Sequence, residues 1–166
     1  MPNQVFLCGV FLFTRPGIKI SDDSSIRCVV LSGIGEHFMA GGDVKSFYEK
    51  LEDEPDRTAR RHYFEQLINT FHIGLTNMRN MPQPIVGKIR GAVAGAGVSL
   101  VLACDLALVS QDAFFTLAYC HIGTSPDGGS THFLPRATSI KKAMEIDYLW
   151  VVGAKVRNNI MKLDDL

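Results

Sequence analysis

Two turns built from small residues are the first places where residue type and spacing could support chemistry. The sequence AGGD occupies residues 40–43, and AGAG occupies residues 94–97, where it leads into an apolar helical segment. Such turns expose backbone N–H groups, and two converging amides, one of them at a helix N-terminus, can hold a carbonyl oxygen that gains negative charge. Tight packing of a strand against a helix is the alternative explanation for either turn alone.

Asp127, in the sequence SPDGGST, is the candidate for acid/base chemistry. An aspartate before two glycines is also a common turn residue, so the motif allows both interpretations. His121 and His132 lie nearby in the sequence without metal-ligand spacing, and we expect structural roles for both. Asp43 and Asp105 are expected to act as capping or turn residues.

Several familiar site types are excluded by the residues at key positions. A dinucleotide-binding GxGxxG motif starting at Gly95 would require glycine or alanine where Leu100 stands. The sequence GVSLV around Ser99 lacks the second glycine of a hydrolase nucleophile motif, and the chain contains no phosphate-loop sequence. The four cysteines form no CxxC pair, which predicts buried free thiols and no metal site.

The elements that must position these residues alternate between strand and helix. Residues 26–33 are apolar and β-branched, which is typical of a strand buried on both faces in a parallel, helix-covered sheet. Residues 57–81 predict a helix that Pro82 and Pro84 end, with an apolar stripe formed by Phe64, Leu67, Ile68, Phe71, Leu75 and Met78. Other predicted strands cover residues 84–89, 106–109 and 113–116, and Ser139 is expected to cap a final helix. The fold class is therefore α/β.

Composition limits the partners. The chain has 166 residues, 46% of them hydrophobic, with 17 basic and 17 acidic side chains and no net charge. One domain is the default, and binding to nucleic acid or to an anionic membrane by bulk charge is not expected. The apolar run at residues 5–13, which predicts one or two strands broken at Gly9, is too short to span a bilayer. No basic residue precedes this run, so the simplest expectation is a cytoplasmic location without a secretory signal.

Three segments in order resemble one known family. They read FMAGGDV, GAVAGAGVSLVLACDLALVS and AFFTLAYCHIGTSPDGGSTHFLPR, and together they resemble the acyl-CoA-binding core of the crotonase superfamily, the enoyl-CoA hydratases and isomerases. The resemblance extends over about residues 26–146. It implies a β/α spiral core of stacked short parallel sheets with covering helices, and a coenzyme A thioester as substrate without a separate cofactor or metal. It also implies that the backbone amides of Gly42 and Ala96 polarise the thioester oxygen.

The same resemblance assigns a substrate-binding set around these amides: Ala40, Gly41, Asp43, Gly95, Gly97, Ser99 and Tyr119. The hydratases that this chain resembles carry two glutamates at the positions of Ser99 and Tyr119. Hydration needs a water to be deprotonated and a proton to be delivered, which suits a carboxylate pair, so ordinary hydratase activity is disfavoured. The arginines at positions 57, 60 and 61 could meet a CoA phosphate, but a solvated helix face is the preferred interpretation.

Asp127 offers a different chemistry. Isomerases of the superfamily, including those resembling the ring-epoxide isomerases of phenylacetate degradation, can carry an aspartate at this site. One base suffices for a β,γ to α,β double-bond shift, since it removes a proton from one carbon and returns it to another. The alternative is a non-catalytic acyl-CoA-binding or interaction module.

The two ends of the chain depart from the family pattern. Few residues join Pro16 to Ile26, so the helix that family members usually carry there is expected to be missing. Residues 147–166 form a divergent tail after a core of residues 1–146, and the C-terminal helical region of the family is expected to be largely missing. The resemblance also implies a homo-oligomer, a trimer or a hexamer.

Overall fold

The computed structural model describes residues 4–7 and 20–148 of the chain. A four-stranded parallel sheet has the order β1-β2-β3-β5, and a smaller parallel sheet pairs β4 with β6. The six strands are β1 (Gln4–Leu7), β2 (Cys28–Ser32), β3 (Ile85–Ile89), β4 (Ala92–Ala94), β5 (Leu106–Val109) and β6 (Phe114–Thr116). The parallel sheet predicted from the sequence is confirmed.

Strand β2 is less buried than its composition predicts. Val29 and Leu31 are fully enclosed, whereas Val30 between them is half-buried. Adjacent strands place Val86 and then Leu106 in register with Val30, and Leu106 is exposed. The prediction of burial on both faces was therefore wrong, because residues on one face of β2 are buried, whereas those on the other face and in register with it are half-buried or exposed.

Helix α1 (Val44–Asp53) follows the first small-residue turn, and α2 (Arg57–Asn80) follows α1. Asp56 caps α2 by accepting hydrogen bonds from the backbone amides of Thr58 and Ala59. The helix ends before Pro82, as predicted. Only its second half packs on the core, because its buried residues begin at Phe71, whereas Ile68 of the predicted stripe is 40% exposed.

Helix α3 (Ala96–Ala103) lies at the centre of the molecule and packs against both α2 and α4 (Ser130–Ala137). Nearly every one of its side chains is buried, which is the expected position of a helix that is apolar on all sides. Its first residue follows the second small-residue turn directly. Because α3 is held in the core, the end of the second turn at the start of this helix has a fixed position.

Two further helical segments lie beyond β6. A 3₁₀ helix covers Tyr119–Ile122, and α5 (Ile140–Tyr148) begins where the Ser139 hydroxyl oxygen accepts a hydrogen bond from the Lys142 amide at 3.2 Å. The predicted cap at Ser139 is thus confirmed. The sequence did not predict α4, which contains Pro135, a residue that removes a helical hydrogen bond.

The described residues cover the expected ends only in part. Strand β1 confirms the beginning of the predicted N-terminal strand, while the break at Gly9 and the turn at residues 15–17 lie outside the described residues. Residues 20–21, inside the segment expected to lack a helix, are helical. Residues 147–148 complete α5, and the rest of the divergent tail is outside the described part. Of the four cysteines predicted to be buried, Cys8 lies outside the described residues. Cys28 and Cys104 are half-buried and Cys120 is exposed, so the prediction was wrong for Cys120.

Across the part of the chain that the structure describes, no helix combines the length and apolar character needed to cross a membrane.

Candidate functional site

The two small-residue turns lie against each other. Met39 pairs with Val93 in a parallel bridge, and the Ala94 amide donates to the Met39 carbonyl oxygen at 2.9 Å. Gly41 and Gly95 adopt φ values of +105° and +51°, which favour glycine. A methyl group added to Gly95 would lie 3.6 Å from the Gly41 Cα atom. The first turn is therefore held on β4 and meets the second turn through glycine backbone.

Backbone amides at both turns are free to donate. Ala96 is the first residue of α3, so its N–H has no partner inside the helix. Within residues 20–148, no acceptor is bonded to the amide of Ala96 or of Gly42. Gly42 is exposed and Ala96 is half-buried. The N-terminus of a buried helix and an adjoining turn thus present amides that can donate to an anionic oxygen.

The second turn is also tied to the strand that leads towards Tyr119. The Gly95 amide donates to the Thr116 carbonyl oxygen at 2.9 Å, and Thr116 is the last residue of β6. Ala118 then adopts a left-handed conformation with φ +59°, and Tyr119 begins the 3₁₀ helix. This connection brings Tyr119 close to the N-terminal half of α3.

Asp127 is held from several sides. The Tyr119 hydroxyl donates to Asp127 Oδ1 at 2.5 Å. The Asp127 carbonyl oxygen accepts hydrogen bonds from Ser99 Oγ at 3.1 Å and from Ser130 Oγ at 2.8 Å. Both serines are buried, so their hydroxyls are fixed by these contacts. Burial and the neighbouring Asp127 carboxylate raise the pKa of Tyr119 above its ordinary value of 10.0, so the phenol keeps its proton at neutral pH.

The residue after Asp127 is packed as closely. Gly128 has φ +59°, and a methyl group there would lie 2.7 Å from the Phe71 ring and from Ser99 Cβ. The Gly128 amide donates to His72 Nε2 at 3.2 Å, a bond that requires the proton of a neutral imidazole to be on Nδ1. Helices α2 and α3 together therefore position the Asp127 loop.

Four sequence-predicted residues come together here, and their roles are now distinct. Ser99 and Tyr119 both contact Asp127, through its backbone and its carboxylate respectively. Ala96 lies on the same helix as Ser99, one turn before it. Ser99 has no hydrogen bond to a histidine or carboxylate side chain in the described region, which agrees with its exclusion as a hydrolase nucleophile.

Other candidates have structural roles. Asp43 accepts hydrogen bonds from the backbone amide and the hydroxyl of Ser46, which confirms the predicted cap of α1. These bonds, led by the hydroxyl, lower the pKa of Asp43. Asp105 accepts from the Ile85 amide at 2.8 Å and so joins β3 to the end of α3. Arg61 forms an exposed ion pair with Glu65, as expected for a solvated helix face.

His121 and His132 are both exposed, and His132 packs edge-on against Phe133. Among residues 4–7 and 20–148, no cluster of three or more histidine, cysteine, aspartate or glutamate side chains could hold a metal ion.

The comparison with protein families decides the assignment of the chain. The sequence model of the enoyl-CoA hydratase/isomerase family matches residues 18–158, a wider range than the motifs alone indicated. The chain belongs to this family.

Relatives in the enoyl-CoA hydratase/isomerase family include isomerases. The chain is 36% identical over 120 residues to the mitochondrial Delta(3,5)-Delta(2,4)-dienoyl-CoA isomerase of Mus musculus. The aligned segment covers 71% of this chain and 37% of that protein. It is 30% identical over 132 residues to the 1,2-epoxyphenylacetyl-CoA isomerase of Escherichia coli (strain K12), covering 79% and 48% respectively. The chain thus spans between about a third and a half of the length of these relatives.

Solved structures give the same family and confirm its crotonase-like fold. An enoyl-CoA hydratase from Polaromonas sp. JS666 superposes with a TM-score of 0.79 at 26% identity, covering 95% of this chain and 65% of that one. An enoyl-CoA hydratase from Bacillus anthracis gives a TM-score of 0.75 at 25% identity, covering 89% and 59%.

Sequence reasoning missed two residues of this family member's site. Ser130 was not singled out, although its place at the start of a helix, three residues after Asp127, suits a hydroxyl that accepts or donates locally. His72 adjoins Phe71 of the apolar stripe, and nothing in the sequence connects it with Gly128, which lies 56 residues further along the chain.

Proposed function

We propose that this chain is an acyl-CoA isomerase of the crotonase type that shifts a double bond from the β,γ to the α,β position. Asp127 is the acid/base, and the amides of Gly42 and Ala96 form the oxyanion hole. The observation that carries the proposal is the half-buried Asp127 carboxylate, fixed beside the helix whose first amide is free.

The first step is enolate formation. The thioester oxygen accepts hydrogen bonds from the two amides, and Asp127 removes a proton from the carbon next to the thioester carbonyl. The C–H electrons move into the thioester, and the negative charge that develops on oxygen is stabilised by the two donors. Asp127 then returns the proton to the γ carbon, and the enolate becomes a conjugated thioester.

Hydration is disfavoured on the same geometry. Ser99 and Tyr119 occupy the positions of the two glutamates in the hydratases that this chain resembles. No second carboxylate is bonded to Ser99, Tyr119 or Asp127 in the described region, so no pair is present to activate water and deliver a proton. The names of the two isomerase relatives also support an isomerase.

Binding of acyl-CoA without catalysis is the second candidate. It is favoured by the replacement of both glutamate positions, Ser99 and Tyr119, combined with turns that need no side chain to bind a thioester. Both candidates take an acyl-CoA and require no metal or further cofactor, and neither involves nucleic acid. We also propose a homo-oligomer, a trimer or hexamer, and a cytoplasmic location.

The test is a direct assay of conjugation. Purified protein is incubated with a 3-enoyl-CoA, and formation of the conjugated enoyl thioester is followed by ultraviolet absorbance. Turnover is expected. Saturable acyl-CoA binding without turnover would reject the isomerase in favour of the binding module, and absence of both would reject the acyl-CoA assignment itself.

A further inference from the structure

Tyr119 and Asp127 form the shortest side-chain contact of the candidate site. The phenol occupies Oδ1 at 2.5 Å, and among the described residues no donor is bonded to Oδ2. The two oxygens of this carboxylate therefore differ in hydrogen bonding. Oδ1 accepts a hydrogen bond from the phenol, and Oδ2 has lone pairs available to accept a proton from a substrate.

The remaining contacts of Asp127 reach only its backbone. Ser99 Oγ and Ser130 Oγ both donate to its carbonyl oxygen, and the Ser130 amide does so as well, at 3.1 Å. These bonds fix the main chain of Asp127 but do not determine how its carboxylate rotates. In the described region, only the Tyr119 hydroxyl bonds to the carboxylate itself.

Tyr119 is itself placed by an unusual backbone. Ala118 has φ +59°, the one non-glycine residue with positive φ in the described part of the chain. Left-handed residues other than glycine, asparagine and aspartate are uncommon and cluster at functional sites. The turn at Ala118 directs the chain from β6 into the 3₁₀ helix that carries Tyr119.

We propose that Tyr119 is a positioning residue that holds Asp127 by Oδ1 and leaves Oδ2 as the base. This inference rests on the proposed isomerase function. Because the pKa of Tyr119 is raised by burial, the phenol stays a donor throughout the reaction and gives up no proton.

A single carboxylate oxygen then carries the proton between the two carbons of the substrate. Oδ2 accepts the proton as the C–H bond next to the thioester breaks and its electrons form the enolate. The Oδ2–H bond then breaks as the new C–H bond forms at the γ carbon, and the enolate electrons form the conjugated double bond. Because the same oxygen removes and returns the proton, a fraction of the product molecules carries at the γ carbon the hydrogen that was removed from the substrate.

The first experiment compares Tyr119→Phe with Tyr48→Phe as a matched control. Tyr48 is exposed on α1, and its hydroxyl donates to Glu52, so this variant also removes a phenol that contacts a carboxylate. We expect Tyr119→Phe to lower kcat by about 10- to 100-fold, the order of magnitude for a misplaced catalytic group, with KM unchanged. Tyr48→Phe should retain wild-type kcat and KM.

A label experiment follows the proton itself. A 3-enoyl-CoA deuterated at the carbon next to the thioester is converted in ordinary water, and deuterium at the γ carbon of the product is measured by mass spectrometry. Wild-type protein should retain part of the label, and Tyr119→Phe should retain less, because a rotating carboxylate exchanges its proton with solvent. Complete loss of label by the wild-type protein would overturn the single-oxygen path.

A second variant guards against loss of fold in Tyr119→Phe. Fluorotyrosine at position 119 keeps the ring and the hydrogen-bond donor. We expect near wild-type turnover at neutral pH, because the phenol can still hold Asp127 Oδ1. Turnover as low as that of Tyr119→Phe would show that loss of the donor does not explain the effect and would overturn the positioning role.

The outcomes separate this inference from the proposed function. If the wild-type protein turns over and Asp127→Asn does not, while Tyr119→Phe equals wild type, the positioning role is rejected and the isomerase stands. If the wild-type protein shows no turnover, the proposed function fails first. If Tyr119→Phe loses acyl-CoA binding together with turnover, Tyr119 serves substrate binding or the fold, and the positioning role is rejected.

Discussion

Asp127 is the residue on which the proposed chemistry depends. Replacing it with asparagine keeps the size of the side chain but removes the proton acceptor. We expect Asp127→Asn to lower the isomerisation rate by about 10²- to 10⁴-fold, the usual contribution of a general base, with acyl-CoA affinity unchanged. Ultraviolet absorbance of the conjugated thioester gives the isomerisation rate, and calorimetric titration gives the affinity for acyl-CoA.

Ser99→Ala is the comparison for this variant, because Ser99 bonds to Asp127 at the backbone carbonyl oxygen and not at the carboxylate, and its loss should affect the rate far less. Full activity in Asp127→Asn, combined with its loss in Ser99→Ala, would mean that the base is misassigned.

The raised pKa of Tyr119 predicts a dependence of stability on alkaline pH. An unfolded tyrosine ionises near pH 10, whereas burial, then the contact with Asp127, keeps the folded phenol protonated to higher pH. Above pH 10 the native state therefore binds more protons at this residue than the unfolded state, and its stability falls as pH rises. The contribution is fully present below pH 10.

The measurement compares wild-type protein with Tyr119→Phe by urea unfolding between pH 8 and about pH 11.5. The stability advantage of the wild-type protein should shrink above pH 10, since only that protein loses the tyrosine contribution. An advantage that is constant across the range would show that Tyr119 titrates normally.

At the residue scale, the sequence was informative where chemistry depends on a motif. The turns containing Gly42 and Ala96, and the aspartate of SPDGGST, were identified from residue type and order. The hydrogen bond from Tyr119 to Asp127 could not be predicted, because it depends on the left-handed turn at Ala118, which alanine does not signal. The contact between His72 and Gly128 depends on the packing of distant helices.

The next scale is that of the elements, where the meeting of the first turn with α3 is the critical feature. A methyl group at Gly97 would lie 2.4 Å from the Met39 carbonyl oxygen, and α3 is too buried to move away. Gly97→Ala should therefore push the first turn away from α3 and separate the two amides. We expect a loss of turnover and a destabilisation of about 1–3 kcal/mol, the usual cost of overpacking, measured by enzyme assay and urea unfolding.

Gly35→Ala provides the control for this effect. Position 35 has open space around it but φ +86°, so alanine there is strained without touching either turn. It should lose stability, roughly 1–2 kcal/mol for a left-handed alanine, and keep its kcat. Equal turnover in the two variants would show that the spacing of the turns does not matter.

The elements themselves were predicted wherever periodicity was long or a strand was a mainly apolar run. Helix α2 and strands β2, β3, β5 and β6 belong to this group. Helix α4 was missed because Pro135 lies inside it and two glycines precede it, and these residues ordinarily mark loops. Ile68 was assigned to the core because periodicity defines a helix face, but it does not determine how far along the helix that face is covered.

At the scale of the whole molecule, a ligand that bridges the turns should stabilise the fold. Acyl-CoA that binds only the native state adds RT ln(1 + [L]/Kd) to the free energy of unfolding, about 2.7 kcal/mol at a concentration a hundredfold above Kd. We expect the melting temperature to rise with acyl-CoA concentration in a thermal shift assay. An unmoved melting temperature at saturating concentration would contradict the acyl-CoA assignment as a whole.

The parallel topology of the larger sheet followed from the sequence, but the pairing of β4 with β6 in a separate sheet did not. A strand was predicted over residues 113–116, where β6 lies, whereas β4 was not predicted, because its three residues are too few for a periodicity to be recognised. The exposed face of the larger sheet was also unforeseen at β2, because an apolar run indicates burial without identifying what provides it. A strand that another subunit covers carries the same apolar run as a strand that a helix of its own chain covers.

This exposed face predicts self-association. Leu106 and Leu108 of β5 are 64% and 67% exposed and point to the same side of the strand, with Val86 beside Leu106 on the neighbouring strand. β5 is also an edge of the larger sheet in the described region, and exposed apolar edges favour pairing with another chain.

We therefore expect sedimentation velocity to detect an oligomer at micromolar concentration. Replacing both leucines with lysine should shift the protein towards monomer, because it places two charges in the contact, whereas Ile34→Lys, at an exposed loop residue, should not. A wild-type protein that sediments as a monomer would mean that this apolar face is tolerated in water, and the expected trimer or hexamer would be rejected.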